Sequence, residues 1–511
     1  MLESKRSYQR GQENLVPSNN ASSAPKSPVI PKAQENPWYI QHFTKLLIGF
    51  GLGGGAIAIL LPWMLWLHCG MSSGSSDQLR LHLLYVTGGI IAVLTLLQTN
   101  WKNQGDRIKI DADIKKNEQD AEKNERDHIR QVHAERRSRY TAAVGQLTDE
   151  KAAIRLGGIY TLVGLVDEWL ADNTLTKEEQ QKEGQVIVNN LCSYIRSPFP
   201  LAEKREVLEK DQVPDDYDGT FTADQAQLRG EQDVRRAIFE EMSKRSNKGK
   251  EVTVTSGVWS TVRFDFSRAP IFYPLNNLTI EQGNFASTRF YGEANFQNAK
   301  FTGNADFKDA KFTGNAHFKD ARFTGFANFR DTEFTRNAHF KYAKFTGYAN
   351  FRDTEFTRNA DFSHTNFTGY AHFGGAEFTG YAHFGRAEFT GNAHFGRAEF
   401  TGNAYFRGTR FTRGVAFSMA KFASDTSFNG AYFEKYAPIF ADNFDSTQFS
   451  ALVDPQDYLF KVHPESPHSI SCGEAELLNR TFILPLGAVL YDPDSWDEET
   501  QEYTRISEPA Q

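Results

Sequence analysis

The sequence predicts a membrane-anchored α + β-solenoid chain: a transmembrane helical hairpin, a helical middle region and a C-terminal β-helix. Three observations carry this. Two uncharged apolar runs lie near the N-terminus, Leu46 to Leu67 and Leu81 to Leu97. A charged and then helically periodic stretch follows, from Asn100 to Ile195. From Phe285 to Phe433, phenylalanine recurs with an 11-residue period.

A length of 511 residues points to several domains. Hydrophobic residues make up 40%, enough to exclude disorder throughout. The net charge is −7, and a mean hydropathy of −0.53 is too polar for a multi-spanning transporter but allows one or two spans. Cys69, Cys192 and Cys472 lie far apart and form no CxxC pair, so neither a disulfide scaffold nor a structural zinc site is expected. Phenylalanine is in excess, at 42 residues.

Residues 1–43 are rich in Ser, Pro, Asn, Gln and charge, and read as a disordered tail. The membrane segment is 44–99, with spans at about 46–67 and 80–98. The first run carries no charge from Leu46 to Leu67, long enough to cross a hydrocarbon core of ~30 Å. Trp63 and Trp66 sit near one end, where interfacial aromatics are favoured. The short polar loop from His68 to Arg80 offers one basic residue, whereas Lys and Arg flank both runs on their outer sides. Both termini are therefore expected in the cytoplasm. Gly49, Gly51, Gly53, Gly54 and Gly55 would allow close helix approach.

Residues 100–139 are highly charged and lack a sustained heptad, so a solvated helical stalk is expected. Arg136, Arg137 and Arg139 read as a solvated face, with lipid headgroups or nucleic acid as the alternative. Residues 140–250 read as helices with a linker. Leu147, Ile154, Ile159, Leu162 and Val166 recur at helical spacing, and Thr148-Asp149-Glu150 is a helix-start signal. A further helix is expected over Glu179 to Ile195, a polar linker over Phe199 to Gly230, and an amphipathic helix over Glu231 to Arg245. Residues 251–282 are assigned to an N-terminal cap, with Phe264 to Thr279 covering the end of the solenoid.

The repeats occupy 283–449. Two phenylalanine series, Phe285 to Phe428 and Phe290 to Phe433, each have 14 members without a gap. A small residue stands two places before nearly every Phe, as Ala294 before Phe296 and Ala299 before Phe301. An 11-residue period also suits a right-handed coiled coil, but residues five apart would then diverge by about 131°. The Thr and Gly that follow the second Phe also oppose a helix. In an extended chain, residues two apart share a side. The small residue and Phe then face inward, and the residue between them faces out. The predicted core is Phe296, Phe301, Phe307, Phe312, Phe318, Phe323, Phe329, Phe334, Phe340, Phe345, Phe351 and Phe356. A coil made of two such periods would stack His317 on His339 and His372 on His394.

The unit A-x-F-x-x-A/T-x-F-T-G/R-x resembles the pentapeptide-repeat family in its Phe-centred branch. That resemblance implies a quadrilateral right-handed β-helix with stacked interior rings. The sequence departs from the five-residue unit by one extra residue in every second unit, at positions such as Asn304, Asn315 and Phe326. The end of the array departs again, with Ile439 in place of Phe and Phe444 in frame. RLGGIYTLVGLVDEW (Arg155 to Trp169) and DVRRAIFEEMSKR (Asp233 to Arg245) are similar to segments preceding the repeats in actinobacterial pentapeptide-repeat proteins with two N-terminal spans. Residues 450–511 read as a C-terminal cap and tail, with apolar Phe482 to Leu490 closing the other end.

No nucleophile, phosphate-loop, zinc or kinase signature is present. The expectation is therefore no catalytic, cofactor-binding or metal site, the outward histidines being solvated positions. The expected function is a non-enzymatic interaction scaffold at a bacterial cytoplasmic membrane. Its partners would be the lipid bilayer and an unidentified protein, with a homo-oligomer allowed and nucleic acid not expected. A DNA-mimicking topoisomerase regulator, which the family resemblance brings in, and an oligomeric two-span channel or sensor are the alternatives. DNA mimicry wants a strongly negative surface. Over 283–449 there are 19 Lys and Arg against 16 Asp and Glu, a balance of +3.

Overall fold

The computed structural model describes residues 36–210, 212–248, 255–256, 258–442 and 445–511. Most of the expected disordered tail lies outside the described residues, but Trp38–Gln41 forms a helical turn, α1. The chain divides into two units, Met1–Asp127 and His128–Gln511.

In the first unit, α2 (Phe43–Cys69) ends at Gly70, whose φ of 66° gives the left-handed stop that glycine permits. The next helix, α3, runs without a break from Ser73 to Gln146. The second apolar run and the charged stalk are thus one helix, and the polar loop is shorter than expected. Ser75, Ser76 and Asp77 are absorbed into the first turns of α3. Both helices are long and apolar enough to cross a membrane by length and composition. Of the glycines in α2, only Gly54 meets its neighbour. A Cβ there would collide with Thr87 Cγ2, whereas Gly49, Gly51, Gly53 and Gly55 face open space.

The second unit begins in the last turns of α3, against which α4 (Ala152–Leu170) packs. Gly158 permits this contact, because a Cβ would lie 2.8 Å from the Ala143 carbonyl. The next helix, α5 (Lys177–Arg196), starts with a capping box. The Thr176 hydroxyl accepts from the Glu179 amide, and the Glu179 carboxylate accepts from the Thr176 amide. The expected polar linker is largely structured. It holds a short helix, α6 (Arg205–Leu208), and the start of α7 (Phe221–Ser246). Phe221 and Leu228 supply the buried anchors that start α7 early.

Two-residue strands then wind into a four-faced parallel solenoid. The register advances by two repeats per coil: Ala305 pairs with Ala327, Lys311 with Glu333, Ala316 with Ala338, and Arg322 with Lys344. These pairs define faces one to four, in the order in which the chain visits them. Faces one, three and four carry eight strands each and face two carries ten. The first coils are shorter, since Phe264 pairs with Gly283 and Pro270 with Arg289. Residues 264–280 are therefore solenoid strands and not the cap. The N-terminal cap is helical instead. Phe239 of α7 packs 4.5 Å from Phe266, and Ser243 Oγ accepts from the Thr279 amide at 2.8 Å. Part of the expected cap, 251–254 and 257, lies outside the described residues.

At the far end, Phe440 rather than Ile439 continues its column, 5.1 Å from Phe417, and Ile439 turns outward. The frame has slipped by one residue. Phe444 lies outside the described residues. Val489–Tyr491 adds the last strand of face two, and a hairpin of Cys472–Leu477 with Arg480–Pro485 buries Phe482 and Leu484.

Candidate functional site

Among the described residues, stacked phenylalanine rings fill the interior of the solenoid. The twelve phenylalanines named above are each at most 1% exposed. Along a column, rings on successive coils stack nearly parallel, as Phe307 on Phe329 at 4.9 Å and 2°. Between columns they meet edge to face, as Phe307 with Phe318 at 5.8 Å and 86°. Thr replaces Ala at some inward positions without an unpaired hydroxyl. Thr332 donates to the Phe307 carbonyl at 2.8 Å and Thr354 to Phe329 at 2.7 Å.

Each half coil turns through a left-handed residue, which the spacing did not reveal. Asp309, Asp320, Asp331 and Asp353 have φ between 53° and 58°, and Arg386, Arg397 and Met419 take the same conformation. Asp and Asn tolerate this region best among residues with a side chain. The extra residue of every second unit sits at a corner. There the Asn304 side chain accepts from the Phe326 amide at 3.1 Å, and Asn315 from Asn337 at 3.2 Å. Corners are thus held by a side-chain ladder running up the solenoid.

What remains for chemistry is the outer surface. On face one, an amide ladder links Asp306, Asn328 and Asn350. Above it the His372 and His394 rings follow one another at 5.0 Å, tilted by 38°. On face three, His317 and His339 stack at 5.0 Å, and His383 lies 3.5 Å from Asp361. Both pairs are those expected from a coil of two repeats. His372 and His394 lie over Gly374 and Gly396, where a Cβ would come within 2.8 Å and 2.7 Å of the rings. Burial and then the neighbouring His394 lower His372 to about 4, so it is neutral at pH 7. Burial would raise Asp361, but hydrogen bonds from His383 and Ser363 outweigh it and bring it to about 2. A shallow groove of about 520 Å³ runs beside His372, His394 and Met419 over the glycine floor. Among the described residues, no group of three or more His, Cys, Asp or Glu is placed to hold a metal.

An exposed aromatic column follows one corner, with Phe326 5.1 Å from Tyr348 and Tyr348 5.4 Å from Tyr370. Face two presents Glu333, Glu355, Glu377 and Glu399 on successive strands, and face four presents Lys300, Arg322 and Lys344.

The arginines expected to be solvated are tied down within the protein. Arg136 donates to Glu168 at 3.1 Å and pairs with Asp172, and Arg139 donates to Glu168. Only Arg137 is mostly exposed. Sequence reading also missed a buried network in the middle region. Arg235, 1% exposed, donates to Glu231 at 2.6 Å and to the Ile195 carbonyl at 2.8 Å, while Arg155 reaches the same Glu231 at 3.0 Å. Its only signal was arginine on the apolar side of α7, next to Val234 and Ile238. Cys192 is fully buried, and burial pushes its thiol up to about 12, so it is inert at neutral pH.

A family model of pentapeptide repeats, in nine copies, matches residues 275–311, 307–355, 340–388 and 384–432. Neither the curated proteins nor the solved structures give a match to the chain.

Proposed function

We propose that this chain, a pentapeptide-repeat protein, is a membrane-anchored scaffold that displays its solenoid in the cytoplasm and acts by binding rather than catalysis. The observation that carries the reading is a solid interior of stacked rings beneath outward columns of interchangeable polar residues. Such a surface offers one side chain per rung at a spacing near 4.8 Å and suits recognition of an extended surface. The two apolar helices supply the anchor. Lys and Arg beyond their outer ends favour a cytoplasmic side for both termini.

The balance of +3 over the repeats disfavours mimicry of DNA, which needs a dense negative surface. A channel requires polar groups lining a path between helices, and the groove beside Gly49 and Gly53 is apolar.

The native cysteines provide the test. Cys69 lies exposed at the end of α2 beside the turn, and Cys472 lies exposed in the C-terminal cap. A membrane-impermeant thiol reagent applied to intact cells should label Cys69 and spare Cys472 until the cells are lysed. Labelling of Cys472 from outside would overturn the topology. Capture of proteins from crosslinked membranes, lost when outward residues are changed and retained when they are not, tests the scaffold itself.

A further inference from the structure

Faces two and four lie on opposite sides of the coil, because the chain visits the four faces in order. Their outward columns carry opposite charge. Face two reads Lys311, Glu333, Glu355, Glu377, Glu399 and Lys421. Face four reads Lys300, Arg322, Lys344, Asn366, Glu388 and Arg410. At the ends of the acidic column, Lys311 pairs with Glu333 at 2.6 Å and Lys421 with Glu399 at 2.9 Å. Among the described residues, no ion pair joins Glu355, Glu377, Lys300, Arg322 or Lys344 to another group of the chain. Stacked like charges at rung spacing repel one another, and a complementary column would relieve both. Burial, then Glu399 and Glu355 on the adjacent strands, raise the Glu377 carboxyl.

We propose that the solenoid binds a second copy of this chain side by side, the acidic column of one copy lying against the basic column of the next. The charge order selects a register. With both solenoids running the same way and Glu355 opposite Arg322, Glu333 meets Lys300 and Glu377 meets Lys344. Glu399 then meets Asn366, and Lys421 meets Glu388, so no like charges face each other. Shifting by one coil so that Glu355 meets Lys344 places Lys311 on Lys300 and Glu399 on Glu388. Shifting the same way again, so that Glu355 meets Asn366, places Lys311 on Arg322 and Glu377 on Glu388. Both shifts are disfavoured, and the opposite shift, with Glu355 on Lys300, makes three opposite-charge pairs against four, because Lys421 then meets Asn366. Copies anchored in one membrane enter it in the same sense, which favours parallel solenoids and raises their effective concentration. The contact is heterologous and leaves one acidic and one basic face free at the ends, so it propagates into an array.

This inference rests on the scaffold reading for its choice of the outer columns as the binding surface. The test uses the full chain in vesicles of zwitterionic lipid, treated with a zero-length carbodiimide that joins lysine to carboxylate. Lys300 and Glu333 lie on opposite faces of one chain, so their coupling reports contact between chains. Coupled Lys300–Glu333 and Lys344–Glu377 peptides are expected, falling several-fold at about 0.5 M salt, where screening shortens to roughly 4 Å. The double variant Glu355→Lys with Glu377→Lys should lose Lys300–Glu333 coupling, as should Arg322→Glu with Lys344→Glu. Mixing the two should restore it. Absence of the coupled peptides from the parent at low salt, or no restoration in the mixture when both variants melt like the parent, would overturn the array. If the parent captures other proteins yet shows no coupling between copies, the array fails and the scaffold stands.

Discussion

Phe329 and Phe351 sit on successive coils and stack at 4.9 Å with their planes 1° from parallel. Phe351 in turn stacks on Phe373 at 4.8 Å. Each ring is therefore supported from both sides, and the loss of one leaves two neighbours facing a void. Phe351→Ala should cost about 3–5 kcal/mol. Arg352, one residue on and exposed, should change stability by no more than about 0.5 kcal/mol when replaced by Ala. Denaturant unfolding of the full chain, followed by a solenoid-specific probe, compares the two. Equal losses would mean that the inward and outward assignment is wrong.

The left-handed turn positions give a second expectation. Arg386 has φ 57° and is exposed. Arg386→Asn should stabilise the solenoid by about 0.5–1 kcal/mol, because Asn enters this region more easily. Gly375 has φ 68°, and a Cβ there would collide with Asp353 Oδ1. Gly375→Ala should destabilise by about 1–2 kcal/mol. Melting temperatures moving in opposite directions would confirm the pattern. A gain from Gly375→Ala would contradict it.

Acid should weaken the solenoid in a window set by the stacked imidazoles. Burial lowers His339, His372 and His394 below their ordinary value, His372 to about 4. Between that value and the usual 6.5 or so, the unfolded chain binds more protons than the folded one. Stability therefore falls as pH drops through this range and is untouched above it. After allowance for solvent screening, His372 contributes about 1–2 kcal/mol to the slope. Asp361 acts lower, its stabilisation being lost as pH falls from about 3.9 toward 2. Melts between pH 7 and 4.5 should flatten in His372→Gln. An unchanged slope would remove His372 as the cause.

In the middle region, Arg235 and Arg155 share Glu231 in a buried site. Arg235→Met leaves that carboxylate with Arg155 and the Tyr194 hydroxyl alone, its Oε1 without the Arg235 donor, and the Ile195 carbonyl without its donor. A loss of about 3–5 kcal/mol is expected for the helical region. Helix-specific hydrogen exchange in α5 and α7 checks it, and protection like that of the parent would show that the network is dispensable.

The solenoid was legible because its signal is one-dimensional. A strict 11-residue period with inward Phe specifies the coil length and hence which outward residues stack, as His317 on His339 and His372 on His394. Local composition likewise placed the two apolar runs and a helix over Glu179 to Ile195, which the Thr176 cap starts two residues earlier, at Lys177. Tertiary structure decided the rest. The apolar and charged segments differ in hydropathy, and neither carries a Pro or a cap that would end a helix, so nothing local broke α3 between Leu97 and Asn100. Phe440 replaced the in-frame Ile439 because ring stacking on Phe417 outweighs strict spacing at the end of an array. The helical cap from α7, the capture of Arg136 by Glu168 and Asp172, and the burial of Arg235 join residues far apart in sequence. Such pairings depend on where the chain returns in space, and no period records that.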